Sequence, residues 1–143
     1  MIVNQEVQFK KSKILVADDD RVQRLMLTQI LELAGHQVLT AKDGEEAVQF
    51  FKNEAPDLVV LDVFMPKMDG IEAATEIQKI LGNKYVPFVF ITGVDNDDYL
   101  QRCIDVGADD FVYKPFNALV LKAKINSLLR VQQLYQQQYS QKQ

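Results

Sequence analysis

Residues 58–62 read Leu58-Val59-Val60-Leu61-Asp62, an unbroken apolar run closed by a carboxylate. A strand buried on both faces has this composition, because both of its side-chain sets meet a core. The same pattern recurs along the chain. Ile14-Leu15-Val16-Ala17 runs into Asp18-Asp19-Asp20, Phe88-Val89-Phe90-Ile91 into Thr92, and Phe111-Val112-Tyr113 into Lys114-Pro115. If these runs are parallel strands of one sheet, their carboxyl ends share an edge. Carboxylates, one hydroxyl and one ammonium then converge on one spot. That set suits a hard divalent cation and a phosphoryl group.

Between the apolar runs, which lie near 13–18, 36–41, 57–62, 86–91 and 109–114, the residues have helical period. Val22, Leu25, Met26, Ile30 and Leu33 mark an apolar face on the first helix. Asp20 with Gln23 reads as its capping box and Gly35 as its stop. Asp43-Gly44-Glu45-Glu46 opens the second helix by the same logic. The third follows Asp69-Gly70 and ends near Gly82. The fourth opens in Asp95-Asn96-Asp97-Asp98 and stops at Gly107, and the fifth starts after Pro115 with Asn117 as cap. Alternation of strand and helix implies a parallel sheet covered on both faces, with its ligand crevice at the carboxyl ends of the strands. The last helix is expected from Leu119 to about Leu134, with Leu121, Ile125, Leu128, Val131 and Tyr135 on one side, before a polar Gln-rich end.

With 143 residues, 48% hydrophobic and 25% charged, the chain has the composition of one globular domain. Residues 1–11 read as a loose leader, 12–131 as the domain and 132–143 as a helical extension leading toward an effector. A net charge of -4 without a basic stripe gives no support to nucleic-acid binding. No apolar stretch reaches the roughly 18 residues of a membrane span, and the N-terminus lacks a signal peptide's features. The lone Cys103 fits a reducing, cytoplasmic setting. It reads as packed within its helix, His36 as a surface or edge residue, and Phe50-Phe51 as core filling.

Asp18, Asp19 and Asp62 carry the chemistry. Crowded carboxylates raise each other's pKa, and such clusters persist when a cation neutralises them. Oxygen ligands without His or Cys point to Mg²⁺ or Mn²⁺. Asp20 reads as a helix cap instead. Asp62 can act as a nucleophile, with Thr92 and Lys114 supplying a hydroxyl donor and a positive charge to phosphoryl oxygens.

On these motifs, with Leu61-Asp62-Val63-Phe64-Met65-Pro66-Lys67-Met68-Asp69-Gly70, Ile91-Thr92-Gly93 and Asp109-Asp110-Phe111-Val112-Tyr113-Lys114-Pro115-Phe116, the sequence resembles the receiver domain of bacterial two-component response regulators. The resemblance implies an α/β, flavodoxin-like, doubly wound fold with strand order 2-1-3-4-5. It implies that Asp62 is the phosphoacceptor for a sensor histidine kinase or a histidine phosphotransfer protein. Asp19, Asp62 and the backbone carbonyl of Phe64 would bind Mg²⁺ directly, with Asp18 helping through water. Lys114 would pair with Asp62 or its phosphate, and Thr92 and Phe111 would form the switch. Gly93 would leave the phosphate room, and Lys114–Pro115 would be cis. Phe64 and Val94 occupy the positions that flank the hydrolytic water and modulate lifetime. Output would run through the face of the fourth helix, fifth strand and fifth helix. Such a chain turns over no separate substrate; it catalyses its own phosphorylation and dephosphorylation.

An incomplete heptad seam of Leu121, Leu128, Val131 and Tyr135 adds the expectation of a homodimer. Two other readings remain. Asp18-Asp19-Asp20-Arg21-Val22 formally matches the nucleophile motif of haloacid-dehalogenase-type phosphohydrolases, with Thr92, Lys114 and Asp109-Asp110 as mimics of their other motifs. A pseudo-receiver would use the same fold as a non-phosphorylated interaction module. A flavodoxin-like FMN binder is set aside, because Asp18-Asp19-Asp20 would repel a phosphate.

Overall fold

The computed structural model describes residues 11–93 and 95–141, with side chains through Gln138. The apolar runs form the strands β1 (Lys13–Ala17), β2 (Gln37–Ala41), β3 (Leu58–Asp62), β4 (Phe88–Thr92) and β5 (Asp110–Tyr113). Between and after them lie α1 (Arg21–Leu33), α2 (Gly44–Glu54), α3 (Gly70–Leu81), α4 (Asp97–Asp105) and α5 (Ala118–Gln141). The sheet is parallel, in the order β2-β1-β3-β4-β5. This is the expected doubly wound, flavodoxin-like arrangement.

Successive side chains of a strand point to opposite faces, so each strand feeds two cores. Ile14 and Val16, Leu58 and Val60, and Val89 and Ile91 pack with Leu27 and Leu31 of α1 and Leu121, Ile125 and Leu129 of α5. Leu15, Val59, Leu61, Phe88 and Phe90 pack with Phe51 of α2, Ile77 and Leu81 of α3 and Cys103 of α4. Every residue of β3 and β4 is buried, as their composition requires. Each such aliphatic side chain contributes about 1.5–3 kcal/mol relative to exposure.

Local signals set the helix ends. Asp69 and Glu72 form a reciprocal capping box at α3, and Asn117 Oδ1 accepts from the N–H groups of Leu119 and Val120 at α5. Asn96 caps α4 through Asp98 and Tyr99. Asp20 caps α1 through Val22 and Gln23, but Gln23 does not close the box; its Oε1 is buried without a partner. Glu46 accepts from the Lys42 N–H rather than from the cap residue Asp43.

Four expectations change. First, α1 faces the sheet with Leu27 and Leu31, while Val22, Leu25, Met26 and Leu33 are exposed. Second, α5 continues to Gln141, well beyond Leu134. Gln132 is buried, and the Tyr135 hydroxyl donates to the Asn83 carbonyl while its ring rests against Tyr85. Third, Leu121 is fully buried under the sheet, so it takes no part in a seam between chains. Fourth, His36 is buried, with Nε2 3.4 Å from Asn126 Oδ1 of α5, because α5 covers the start of the edge strand. Phe51 and Cys103 are buried as expected.

Candidate functional site

The register decides what meets at the sheet edge. Ala17 pairs with Leu61, Asp62 with Ile91, and Thr92 with Tyr113. Asp18, Asp62, Thr92 and Lys114 are therefore the terminal or next residues of four adjacent strands. Backbone bonds continue past the strand ends: Asp18 N–H donates to the Ala41 carbonyl, Val63 N–H to Ile91 and Lys114 N–H to Thr92. The strand ends thus hold the site residues in place.

The carboxylates of Asp18, Asp19 and Asp62 each offer an oxygen to a point where all lie within 4.8 Å of one another. Asp18 and Asp62 are buried, and Asp19 is exposed. Lys114 Nζ lies 3.0 Å from Asp62 Oδ2 and 3.3 Å from Asp18 Oδ2. Asp18 Oδ2 nevertheless lacks a hydrogen-bond partner, despite being fully buried. The Lys114 contact to it is an ion pair without hydrogen-bond geometry. A buried carboxylate oxygen with no hydrogen bond, beside two further carboxylates and no imidazole or thiolate, is a donor set that fits a hard divalent cation. The residues present therefore fit Mg²⁺.

Electrostatics match the geometry. Burial and then the Asp18 charge push the Asp62 carboxyl up, Lys114 and the Phe64 N–H pull it back, and the balance leaves it raised to about 6. Burial alone would lower the Lys114 ammonium, but its hydrogen bond to Asp62 and its charge interactions with Asp62 and Asp18 leave it above the usual lysine value.

The remaining expected residues fall close by. Thr92 is buried at the end of β4. Phe111 in β5 is partly buried and packed against the core on the α2–α4 face. Phe64 is exposed, and its N–H donates to Asp62 Oδ1 at 3.3 Å. An added Cβ on Gly93 would touch only Lys114 Cβ, at 3.8 Å. Lys114–Pro115 is cis. Val94 lies outside the described residues.

Several contributors were not legible beforehand. Arg24 of α1 donates from Nη1 to the Asp18 carbonyl at 2.7 Å, bringing a positive charge to the acidic cluster. Its spacing one turn after the cap residue Asp20 is the only signal for it. Gly70 lets α3 start directly against β3, because a Cβ there would collide with the Asp62 carbonyl. Tyr99 of α4 meets the Phe64 ring edge-on, and nothing in the sequence pairs them. The mimic role of Asp109-Asp110 in the phosphohydrolase reading fails. Asp109 accepts from the Phe88 N–H and Tyr85 hydroxyl at the amino end of β4, and Asp110 pairs with Lys124.

An aspartate-centred acidic edge, closed by a lysine on a doubly wound sheet, defines a class of signalling domain. The family model for the response regulator receiver domain matches residues 14–126. This chain belongs to that family, the receiver domains of two-component signal transduction. It is 42% identical over 124 residues to the probable transcriptional regulator ycf27 of Cyanophora paradoxa, covering 87% of this chain and 51% of that protein. It is 39% identical over 120 residues to the alkaline phosphatase synthesis transcriptional regulatory protein PhoP of Bacillus subtilis, covering 82% of this chain and 48% of that protein. The chain thus spans about half the length of these curated relatives. A CheY-like receiver domain protein from Methanospirillum hungatei superposes with a TM-score of 0.83 at 28% identity, covering 88% of this chain and 99% of that one. Among the described residues, no helix is long and apolar enough to cross a membrane.

Proposed function

We propose that Asp62 accepts a phosphoryl group from a phosphohistidine on a sensor kinase or histidine phosphotransfer protein, in a reaction that requires Mg²⁺. The observation that carries this reading is the convergence of Asp18, Asp19, Asp62 and Lys114 at one sheet edge. A carboxylate oxygen of Asp62 attacks phosphorus, a phosphorus–oxygen bond forms and the donor's phosphorus–nitrogen bond breaks, leaving imidazole. Lys114, already 3.0 Å from Asp62, offers its ammonium to a phosphoryl oxygen. Thr92 offers a hydroxyl to another, and Gly93 leaves space beside Lys114. A divalent cation held by Asp18, Asp19, Asp62 and the Phe64 carbonyl would neutralise charge developing on the phosphoryl oxygens.

Thr92 and Phe111 lie on adjacent strands and form the switch that carries the change to the face of α4, β5 and α5. A switch of this kind needs a two-state element whose balance the phosphoryl group shifts. Self-association and a C-terminal effector complete the proposal. The regulatory relatives, about twice as long as the matched region, support the latter. Residues 12–131 would be the receiver unit, and α5 passes beyond them without a break.

The test is phosphorylation by phosphoramidate with Mg²⁺, followed by intact mass. One added phosphoryl group is expected, lost in Asp62→Asn and with EDTA. Undiminished labelling of Asp62→Asn would reject the assignment.

A further inference from the structure

Phe64 touches the phosphoacceptor and α4 at the same time. Its backbone N–H donates to Asp62 Oδ1, the carboxylate oxygen that Lys114 does not hold. Its ring meets the Tyr99 ring edge to face, with centroids 4.8 Å apart and planes at 80°. Tyr99 stands in the first turn of α4, and its N–H donates to the cap oxygen Asn96 Oδ1. It is partly buried against the core, and the Arg102 guanidinium lies over its ring at 5.6 Å. Phe64 itself is 41% exposed. An exposed aromatic ring on a loop has several rotamers open to it, and an edge-to-face partner selects one. The only ring contact given to Phe64 among the described residues comes from Tyr99.

Resting on the assignment of Asp62 above, we infer that Tyr99 is a positioning residue for the chemistry at Asp62. It holds in place the ring of Phe64, the residue whose N–H bonds Asp62 Oδ1, and Arg102 steadies Tyr99 from its other contact. Hydrolysis of the aspartyl phosphate needs a water oxygen to form a bond to phosphorus as the bond to Asp62 breaks. Inorganic phosphate leaves, the carboxylate is restored and the water's proton passes to phosphate or solvent. The rate of such a step depends on how water is admitted and aligned. An apolar ring pinned on the residue whose N–H bonds Asp62 Oδ1 limits that alignment, and a released ring does not. Lifetime is then tied to the placement of α4. Anything that docks on α4 and displaces Tyr99 then also changes the decay at Asp62.

The experiment follows decay of the phosphorylated chain by intact mass after removal of phosphoramidate, with Mg²⁺ held constant. The variants are Tyr99→Phe, Tyr99→Leu, Phe64→Ala and the double variant Tyr99→Leu/Phe64→Ala, with thermal melts showing that each is folded. Tyr99→Leu keeps bulk on α4 but removes the ring, and decay several-fold faster than the parent is expected. Tyr99→Phe keeps the ring contact, and near-parental decay is expected. In the Phe64→Ala background, Tyr99→Leu should add nothing further, which a general loosening of α4 would not produce. Parental decay in Tyr99→Leu, or a full independent effect in the Phe64→Ala background, would overturn the inference while leaving Asp62 as acceptor. Absence of labelling in the parent chain would instead overturn the assignment of Asp62, and the inference with it.

Discussion

Lys114 Nζ donates to Asp62 Oδ2 at 3.0 Å across 52 positions of the chain. The same ammonium lies 3.3 Å from Asp18 Oδ2. One cation thus stands against two buried carboxylates, with a third carboxylate, Asp19, beside them. The imbalance has measurable consequences.

Asp62→Asn should stabilise the cation-free protein at neutral pH. Burial and Asp18 raise the Asp62 carboxyl from an ordinary 3.8 to about 6. The folded chain therefore binds more protons than the unfolded chain between these values, and stability falls as pH rises through that window. Above it, the ionised carboxylate costs about 3 kcal/mol. Urea unfolding with EDTA should give Asp62→Asn a higher midpoint at about pH 7.5, with the gain shrinking as pH falls toward about 4. A lower midpoint at neutral pH would contradict the electrostatic account.

Mg²⁺ should stabilise the folded chain in a saturable way. Binding to the native state alone gives about 2.7 kcal/mol at a hundredfold excess over the dissociation constant. Asp19 is exposed, so Asp19→Asn removes a ligand without opening the core. Its melting temperature should respond far less to Mg²⁺ than the parent's. An equal response in both would exclude Asp19 as a ligand.

Gly70→Ala should destabilise the fold and disturb the site together. The added Cβ would run into the backbone carbonyl of Asp62, in a central strand that cannot yield. Overpacking of this kind costs about 1–3 kcal/mol. Chemical denaturation measures the cost, and phosphoramidate labelling should slow in the same variant. A neutral substitution would mean that α3 can shift away from β3.

Cys103 should resist thiol reagents until the chain unfolds. It is fully buried, and burial pushes its thiol up to about 11 from an ordinary 9. Its thiolate fraction at neutral pH is then about a hundredfold lower than that of a free cysteine, since the thiolate is the reactive form. Reaction with a disulfide reagent should be slow in buffer and fast in denaturant. Rapid reaction of the native protein would show that α4 opens readily.

Tyr135→Ala should lower stability although Tyr135 lies beyond the region matched by the family. Its ring packs on Tyr85 at 5.5 Å and its hydroxyl donates to the Asn83 carbonyl. Loss of an aromatic pair costs about 0.5–1.5 kcal/mol beyond the area exposed. Equal thermal stability would show that this turn of α5 is not docked.

The order of strands and helices, the two-sided burial of β3 and β4, the caps at Asp20 and Asn117, and the meeting of Asp18, Asp19, Asp62, Thr92 and Lys114 at one edge followed from the residues themselves. Each depends on chain-local facts, namely apolar runs, cap chemistry and the rule that parallel strands end together. Other features needed the tertiary structure. The first helix carries apolar residues around much of its surface, so periodicity allowed more than one face, and only docking on β1 selected Leu27 and Leu31. The polar end of α5 reads as a tail until Gln132 is buried and Tyr135 finds Tyr85. His36 reads as an edge residue until α5 covers it. Tyr99 against Phe64 joins elements distant in sequence, and no local pattern couples them; Arg24 is close to Asp18 in sequence, but only the placement of α1 brings its guanidinium onto that carbonyl. Local sequence determines where elements start, stop and which side chains they offer. Which of those side chains touch is decided by packing, because burial of a helix face depends on the neighbour it lands against.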